Sequence, residues 1–576
     1  MLCRFFVFVW MFLSATTLLA QNFRGQLQDA QSRKGLAYAS IQSFPSGRAT
    51  LTDAQGFFVL ELGAGDQVVE VRLLGYRPLT IALQGIDTVQ TIFLEPQVWQ
   101  LAEVTVRADS DDWLYPLLAA CEAGSESTIH TRAYYELRSE LSGRQVELVE
   151  GFYNAQLKGA ELQKLRLKAG RLALQPVDRR LFANTETALA LGEMPLFEKA
   201  KYLPGSPFGL SEGRLRKQYQ LYQREGYRLE TGDSVVVIRF VPRRHKEEWF
   251  EGEVGLILGQ KAPHFVQLRC AKAAVHPFVP LSSGERLSQV SLELTRSLVP
   301  GTGGMRLEKL EMRYGVTYSN QRGQVYPVSS KALLYCYAPD QPFFIPPVDF
   351  GSEQELSDYL HINAQPYQAA FWEHSRETRI EDVQGRNAAF FKDPRSITNV
   401  NLFTNQPLLG KGLLERPFTH WDGRRLIFNG MTERPPQVDP RKREIRVDDF
   451  QLEVVLYLDL FPLGDSLHWQ TATIFDPYRS YFYLPIGRKE QCFINLYFDL
   501  MELERRKLEA ALLASDRQQS TMLALYAQAK SDANKMAEAY FKDAMLGNNR
   551  KGMESWNERV KQALNINNFQ IFGLVE

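Results

Sequence analysis

Between about residue 22 and residue 345, apolar and polar side chains alternate in short runs that glycine repeatedly interrupts. Val69, Val71 and Leu73 alternate with Glu70 and Arg72, and Phe58, Leu60 and Leu62 follow the same rule. Further along, Tyr135, Leu137 and Leu141 oppose Glu136, Arg138 and Glu140. A period of two belongs to a strand with one buried face, and a helix cannot satisfy it. Ser142-Gly143 sits between two such runs, as a hairpin turn does. Lys158-Gly159 and Ala169-Gly170 are further turn candidates, so residues 131–174 read as an antiparallel meander. Strand signals resume near Arg216 and run to Tyr337, through Ser234–Phe240, Gly252–Ile257 and His264–Cys270.

The last third changes character. Pro-rich sequence at residues 341–347 marks a domain edge. Residues 353–360 and 368–375 can form short helices, and an Arg- and Asn-rich stretch reaches about residue 445. Residues 450–460 and 469–484 return to strand alternation. From Tyr497 the pattern is helical, with Glu502 and Arg506 four apart in the favourable order. Breaks near Ser515-Asp516 and at 547–549 divide this tail into three helices. The fold class is therefore multidomain and mainly β. Its parts are a seven-stranded-type β-sandwich, a curved antiparallel sheet, and an α+β C-terminal region ending in a helical tail. The expected limits are 22–107, 109–345, 346–490 and 491–576. A length of 576 residues agrees with three or four domains.

The first twenty residues address the chain. Arg4 precedes an apolar run from Phe5 to Leu13, polar Ser14, Thr16 and Thr17 weaken it, and small Ala20 offers a cleavage point. This is the layout of a signal peptide at 1–20, and the run is short of the ~20 residues a spanning helix needs. Gln21 stands where a lipoprotein would carry Cys. The expectation is an exported chain, periplasmic or outer-membrane-associated, with no transmembrane span once cleaved. No segment repeats the alternation of a transmembrane barrel. Lys plus Arg number 67 and Asp plus Glu number 67. That balance excludes a nucleic-acid partner, which needs a basic excess to replace phosphate counterions. Export leaves envelope proteins, glycans and lipids as partners.

Four blocks then stand in a characteristic order: Gly25-Gln-Leu-Gln-Asp29, Gly35-Leu-Ala-Tyr-Ala-Ser-Ile41, Thr52-Asp-Ala-Gln-Gly-Phe57 and Leu73-Leu-Gly-Tyr76. They resemble the carboxypeptidase-like regulatory domain, whose fold is a transthyretin-like sandwich. The resemblance implies a binding or folding module with no peptidase activity. Leu101–Ala108 looks like the exit strand that follows this domain in bacterial outer-membrane receptors. The order of strands in the middle region looks like the curved sheet of lipoprotein-carrier-like folds, which can hold an apolar ligand on its concave face. The other reading is a core packed by helices.

Chemistry is sparse. The eight histidines lie apart from one another, and no H-E-x-x-H, G-x-S-x-G or phosphate-binding glycine loop occurs. No metal or cofactor is expected. Asp459, Asp476, Asp499 and Glu502 are the acidic candidates for catalysis, each in or beside an apolar run. Asp499 and Glu502 share a helix face and could hold a cation; the plainer reading places them near a helix start, favouring its dipole. Cys121, Cys270, Cys336 and Cys492 contain no C-x-x-C pair. Oxidation could join Cys270 to Cys336, or all four are buried apolar residues. The basic run Arg243-Arg-His-Lys246 reads as a solvated hairpin tip or as a contact for anionic lipid or lipopolysaccharide.

Three functions follow. The leading one is a non-catalytic envelope protein that binds or scaffolds a protein, glycan or apolar ligand. The second is a hydrolase, peptidase- or glycan-directed, with its site in the C-terminal region. It requires some of Asp459, Asp476, Asp499, Glu502, His420 and His468 to converge. The third is a periplasmic lipid carrier using the middle sheet.

Overall fold

The computed structural model describes residues 22–574 apart from 64, 85–88, 97–110, 124–126, 178–190, 193, 199–202, 230–231, 279–283, 302–303, 349–357, 376, 381–384, 400–417, 429–449, 464–465 and 483–484. The signal peptide and the exit strand at 101–108 lie outside the described residues, as does most of the stretch 178–202.

Seven strands build the N-terminal part: β1 (Asn22–Asp29), β2 (Ser40–Phe44), β3 (Ala49–Leu51), β4 (Phe57–Glu61), β5 (Val68–Arg72), β6 (Leu79–Ala82) and β7 (Val89–Leu94). They form two sheets, ordered β4-β1-β7 and β3-β2-β5-β6. The alternation seen in sequence puts Phe23, Leu27, Phe58, Leu60, Val69, Val71 and Ile92 into one shared core. The turn before β4 is fixed by Asp53. Its Oδ1 accepts from the backbone N–H groups of Gln55 (2.8 Å) and Phe57 (2.9 Å). Gly56 there has φ 84°, and a Cβ would stand 2.3 Å from the Leu27 carbonyl oxygen, so glycine is required.

The middle region begins with a 3-10 turn (Asp111–Trp113) and helix α1 (Leu114–Ala119). Strands β8 (Thr128–Leu141), β9 (Arg144–Lys158) and β10 (Glu161–Leu174) follow, then helix α2 (Glu212–Gln218). The rest is β11 (Tyr219–Arg228), β12 (Ser234–Pro242), β13 (Glu251–Ile257), β14 (Ala262–Cys270), β15 (Arg286–Gly301), β16 (Gly304–Ser319) and β17 (Val325–Pro339). These strands make one antiparallel sheet, curved and unclosed, in the order β11-β12-β13-β14-β15-β16-β17-β8-β9-β10. A two-residue strand further along the chain, Ile397–Thr398, adds to β10 as the last member. Ser142 and Gly143 both have positive φ, as a type I′ hairpin requires. Two expectations are corrected. Ala169-Gly170 is no turn: it lies inside β10 beside a bulge, where Gly170 admits the side chain of Ile362. Arg216 lies in α2, and the strand starts at Tyr219.

Both faces of the sheet are covered. One packs Tyr135, Leu137, Val149, Leu174, Ile238 and Leu334 against Leu114 and Leu118 of α1, Leu215 of α2, and Tyr359 and Ile362. The opposite face carries Tyr134, Phe152, Ala169, Leu333 and Tyr335. It meets Tyr38 and Leu51 of the sandwich together with Phe343, Phe371, Trp372 and Phe461.

The C-terminal region contains helices α3 (Asp358–Ala364), α4 (Ala369–His374) and α5 (Arg386–Lys392). After β18 (Ile397–Thr398), strand β19 (Thr419–His420) pairs with the hairpin β20 (Phe450–Leu463) and β21 (Ser466–Phe482). The tail is α6 (Arg488–Leu513), α7 (Gln519–Ala544), α8 (Arg550–Leu564) and the short α9 (Asn568–Ile571). Its two breaks fall where the sequence puts them. The first helix starts well before Tyr497, at Arg488, because Glu490 Oε2 accepts from the Gly487 N–H (2.9 Å) and caps the end. Among the described residues no helix is long and apolar enough to cross a membrane. Cys121, Cys270, Cys336 and Cys492 are free and buried. Cys270 and Cys336 lie three strands apart, about 14 Å at ~4.8 Å per strand, too far for a disulfide.

Candidate functional site

The four acidic candidates are all buried, and each binds a different set of partners. Asp459 on β20 meets Lys168 on β10. The bulge between Leu167 and Ala169 turns both Lys168 and Ala169 to the outer face of the sheet. Lys168 Nζ donates to Asp459 Oδ1 (2.5 Å), to the Leu460 carbonyl (2.8 Å) and to the Phe344 carbonyl (3.0 Å). All three N–H bonds of the ammonium are therefore used. Gln368 donates to the second oxygen, Asp459 Oδ2, and to the Tyr457 hydroxyl (3.4 Å).

Burial pushes the Asp459 carboxyl up to about 6 and pushes the Lys168 ammonium down. Both shifts have one cause, the loss of water around each charge. The sign of the pH effect follows. Between the ordinary carboxylate value and about 6, the folded protein binds more protons at this group than the unfolded chain does. Its contribution is full below about 4 and is lost as pH rises to about 6. Asp459→Asn is expected to remove that slope, which urea midpoints measured from pH 4 to 7 report.

Asp499 and Glu502 are not near a helix start, and their role is not with its dipole; they lie in the middle of α6, each held by cations. Asp499 accepts from Arg425 Nη1 (2.8 Å) and Nη2 (3.1 Å), Trp421 Nε1 (2.8 Å) and Asn568 Nδ2 (2.7 Å). Glu502 accepts from Thr473 Oγ1 (2.8 Å), Arg505 Nε (2.8 Å) and Arg506 Nε (3.0 Å). Burial raises the Glu502 carboxyl, but the two arginines outweigh it and hold it below its usual range. Asp476 closes a turn: its Oδ1 accepts from the N–H groups of Tyr478 (2.9 Å) and Arg479 (3.2 Å), and burial pushes it up. His420 Nε2 is 3.0 Å from the Ala364 carbonyl, and His468 Nε2 is 2.9 Å from Ser466 Oγ. Among the described residues no group of three or more His, Cys, Asp and Glu is placed to hold a metal ion.

A charged seam on the outer face of the sheet was not foreseen. Tyr134 Oη donates to Glu150 Oε1 (2.8 Å), and Glu150 also takes Arg171 Nε (2.7 Å). Glu136 binds Arg138 (2.7 Å), and Glu377 binds Arg132 (2.7 Å) and Tyr337 Oη (2.8 Å). The sandwich docks through similar groups. Lys309 Nζ donates to the Tyr38 carbonyl (3.0 Å), Lys331 Nζ sits 3.4 Å from the centre of the Tyr38 ring, and Ser40 Oγ bonds Tyr335 Oη (2.8 Å). Burial lowers the Lys331 ammonium to about 8. On the helix-covered face the hydroxyls of Tyr135 and Tyr359 are buried without a hydrogen-bond partner. The sequence marks these tyrosines only as apolar members of an alternation, and Lys168 and Arg171 look like solvent-facing cations.

The fold thus defines a mainly β protein of several parts assembled on one open curved sheet. No family model and no curated protein matches the chain. It is similar to solved structures over about two-fifths of its length. One is from the MucA/MucB complex of Pseudomonas aeruginosa, at 13% identity, covering 39% of this chain and 93% of that one, with a TM-score of 0.15. A second is a putative outer membrane lipoprotein-sorting protein domain from Vibrio parahaemolyticus, at 12%, 39% and 89%, with a TM-score of 0.17. A third is a LolA superfamily protein from Nitrosomonas europaea, at 9%, 39% and 91%, with a TM-score of 0.16.

Proposed function

We propose that the protein is an exported, non-catalytic envelope protein that binds or scaffolds a protein, a glycan or an apolar ligand. The observation that carries this reading is the use of two of the buried acids, Asp459 and Asp499. Asp459 ties the C-terminal hairpin to the sheet, while Asp499 ties α6 to Arg425 and the α9 segment. A catalytic carboxylate faces substrate and keeps an oxygen available, whereas these two are fully bonded inside joints between parts of the chain. The N-terminal sandwich is read as a carboxypeptidase-like regulatory domain. Its two sheets and the Asp53–Gly56 turn support that assignment. The envelope address rests on the segment Met1–Ala20.

The test is to express the full chain with a C-terminal tag in a bacterium with two membranes, fractionate the cells, and recover it after mild cross-linking. The expected result is a product processed near Ala20, in the periplasmic or outer-membrane fraction, with a protein or glycan attached. An unprocessed cytoplasmic product, or an envelope product that carries neither protein, glycan nor lipid, overturns the reading.

A further inference from the structure

One corner of the sheet gathers several basic side chains. It lies where α2 runs into the edge strand β11 and where the hairpin after β12 turns back. The N–H of Arg243 bonds the Gln218 carbonyl (2.8 Å), so the basic run that follows Pro242 is fastened to the end of α2. Arg214, Lys217, Arg243, Arg244 and Lys246 are all exposed there, and among the described residues none of them has a carboxylate partner. The acids of the same corner are mostly taken. Asp112 (2.7 Å) and Glu212 (2.9 Å) bind Arg216, and Glu247 binds Lys272 (2.8 Å). Glu248 lies 4.0 Å from His245. Arg243 is held rather than free to swing: its Nε donates to the Tyr219 carbonyl (3.0 Å) and its Nη2 to Tyr115 Oη (3.3 Å).

The second observation is aromatic. Trp113 is 37% exposed beside Asp112, the partner of Arg216, and Tyr222 on the edge strand is 38% exposed. An exposed indole in a corner that also carries cations without carboxylate partners suits the boundary between lipid headgroups and acyl chains. An extended peptide fits the corner less well. The edge strand is interrupted by a bulge between Gln223 and Gly226, and the Tyr219 carbonyl is already bonded.

We propose that this corner docks the protein on an anionic lipid bilayer, its unpaired cations meeting the phosphate headgroups and Trp113 entering the interface. The proposal deepens the envelope reading, yet its test does not depend on the cellular address. Purified mature protein is sedimented with vesicles of phosphatidylethanolamine containing about one-third phosphatidylglycerol, and with vesicles of phosphatidylcholine alone. It is expected to bind the anionic vesicles and leave the neutral ones, and to be released at about 0.5 M salt. The double reversal Arg244→Glu/Lys246→Glu is expected to weaken binding at least tenfold, and Trp113→Ala severalfold. Lys542→Glu on α7 should change nothing. All these side chains are exposed, so circular dichroism and urea midpoints of the variants should match the parent. No binding to anionic vesicles, equal binding to both kinds, or full binding by the double reversal overturns the proposal. Loss of binding with a confirmed periplasmic address would overturn this inference and leave the envelope reading standing.

Discussion

Lys168→Met destabilises the protein by about 3–5 kcal/mol, because it leaves the Asp459 carboxylate buried with no cation. The side chains of Lys168 and Asp459 are 1% and 0% exposed, so water cannot take the place of the ammonium. The loss also strands the Leu460 and Phe344 carbonyls, which Lys168 now satisfies. The double variant Lys168→Met/Asp459→Leu is expected to recover most of that loss. It removes both charges together, and apolar replacements of similar size suit the aromatic surroundings of Phe343, Phe371 and Phe461. The contrast distinguishes a pair that stabilises from a pair that is merely compensated. Urea midpoints of the two variants and the parent measure it. A double variant as unstable as the single one would mean that the pair itself holds the hairpin to the sheet. The single variant should also lose more of its midpoint between pH 5 and 7 than the parent does. Its carboxyl can fold in only as the neutral acid, and each proton removed there opposes folding.

The strands were legible because each alternation has one dry face and one polar face. That holds for β4 and β5, whose buried residues are the ones the pattern selects; on β8 the pattern finds Tyr135, Leu137 and Leu141, but Tyr134 and Glu136 of the other face are buried as well. It holds for the tail breaks as well, since Ser515-Asp516 and the stretch at 547–549 cannot continue a helix without loss. The joints between parts were not legible. Arg171 and Lys168 alternate with leucines and so look solvated, but the outer face they share is covered by chain from far along the sequence. Lys168 meets Asp459, and Arg132 meets Glu377. A local pattern reports that a side chain leaves one face; it carries no information about what covers the other. The same limit explains Asp499 and Glu502. Their spacing of three was readable as one helix face, while the groups that bind them come from elsewhere: Arg425 and the neutral indole N–H of Trp421 for Asp499, and Arg505 and Arg506 of the next α6 turn for Glu502. Ala169-Gly170 misled for a related reason: a glycine inside a long strand can mark a close neighbour, here Ile362, as well as a turn.

Arg425→Leu is the second change with a large expected effect, again about 3–5 kcal/mol of destabilisation. Arg425 holds both oxygens of Asp499 in a two-pronged bond and also donates to Asn568 Oδ1 (2.7 Å). Asp499 is fully buried in α6, and its remaining donors are Trp421 Nε1 and Asn568 Nδ2. These two neutral donors cannot replace the guanidinium charge, because a buried carboxylate needs an opposite charge as well as hydrogen bonds. The damage should spread to the contacts made through the same residues. Asn568 Oδ1 loses its donor with the guanidinium, and the backbone N–H of Leu426, now bonded to Asn495 Oδ1 (2.8 Å), sits one residue from the change. Hydrogen exchange should therefore rise at residues 421–428 and in α9 before it rises in α7, which is anchored separately through Tyr540 Oη to the Phe493 carbonyl (2.8 Å). Arg425→Lys tests whether geometry matters beyond charge. Lysine keeps the charge but cannot reach both oxygens and Asn568 at once, so it should recover part of the stability and leave exchange in α9 elevated. Full recovery by lysine would show that charge alone closes this joint. A stability loss from Arg425→Leu no larger than that of an ordinary surface substitution would mean that the guanidinium charge is not needed at Asp499, and that hydrogen bonds from neutral donors hold α9 against α6.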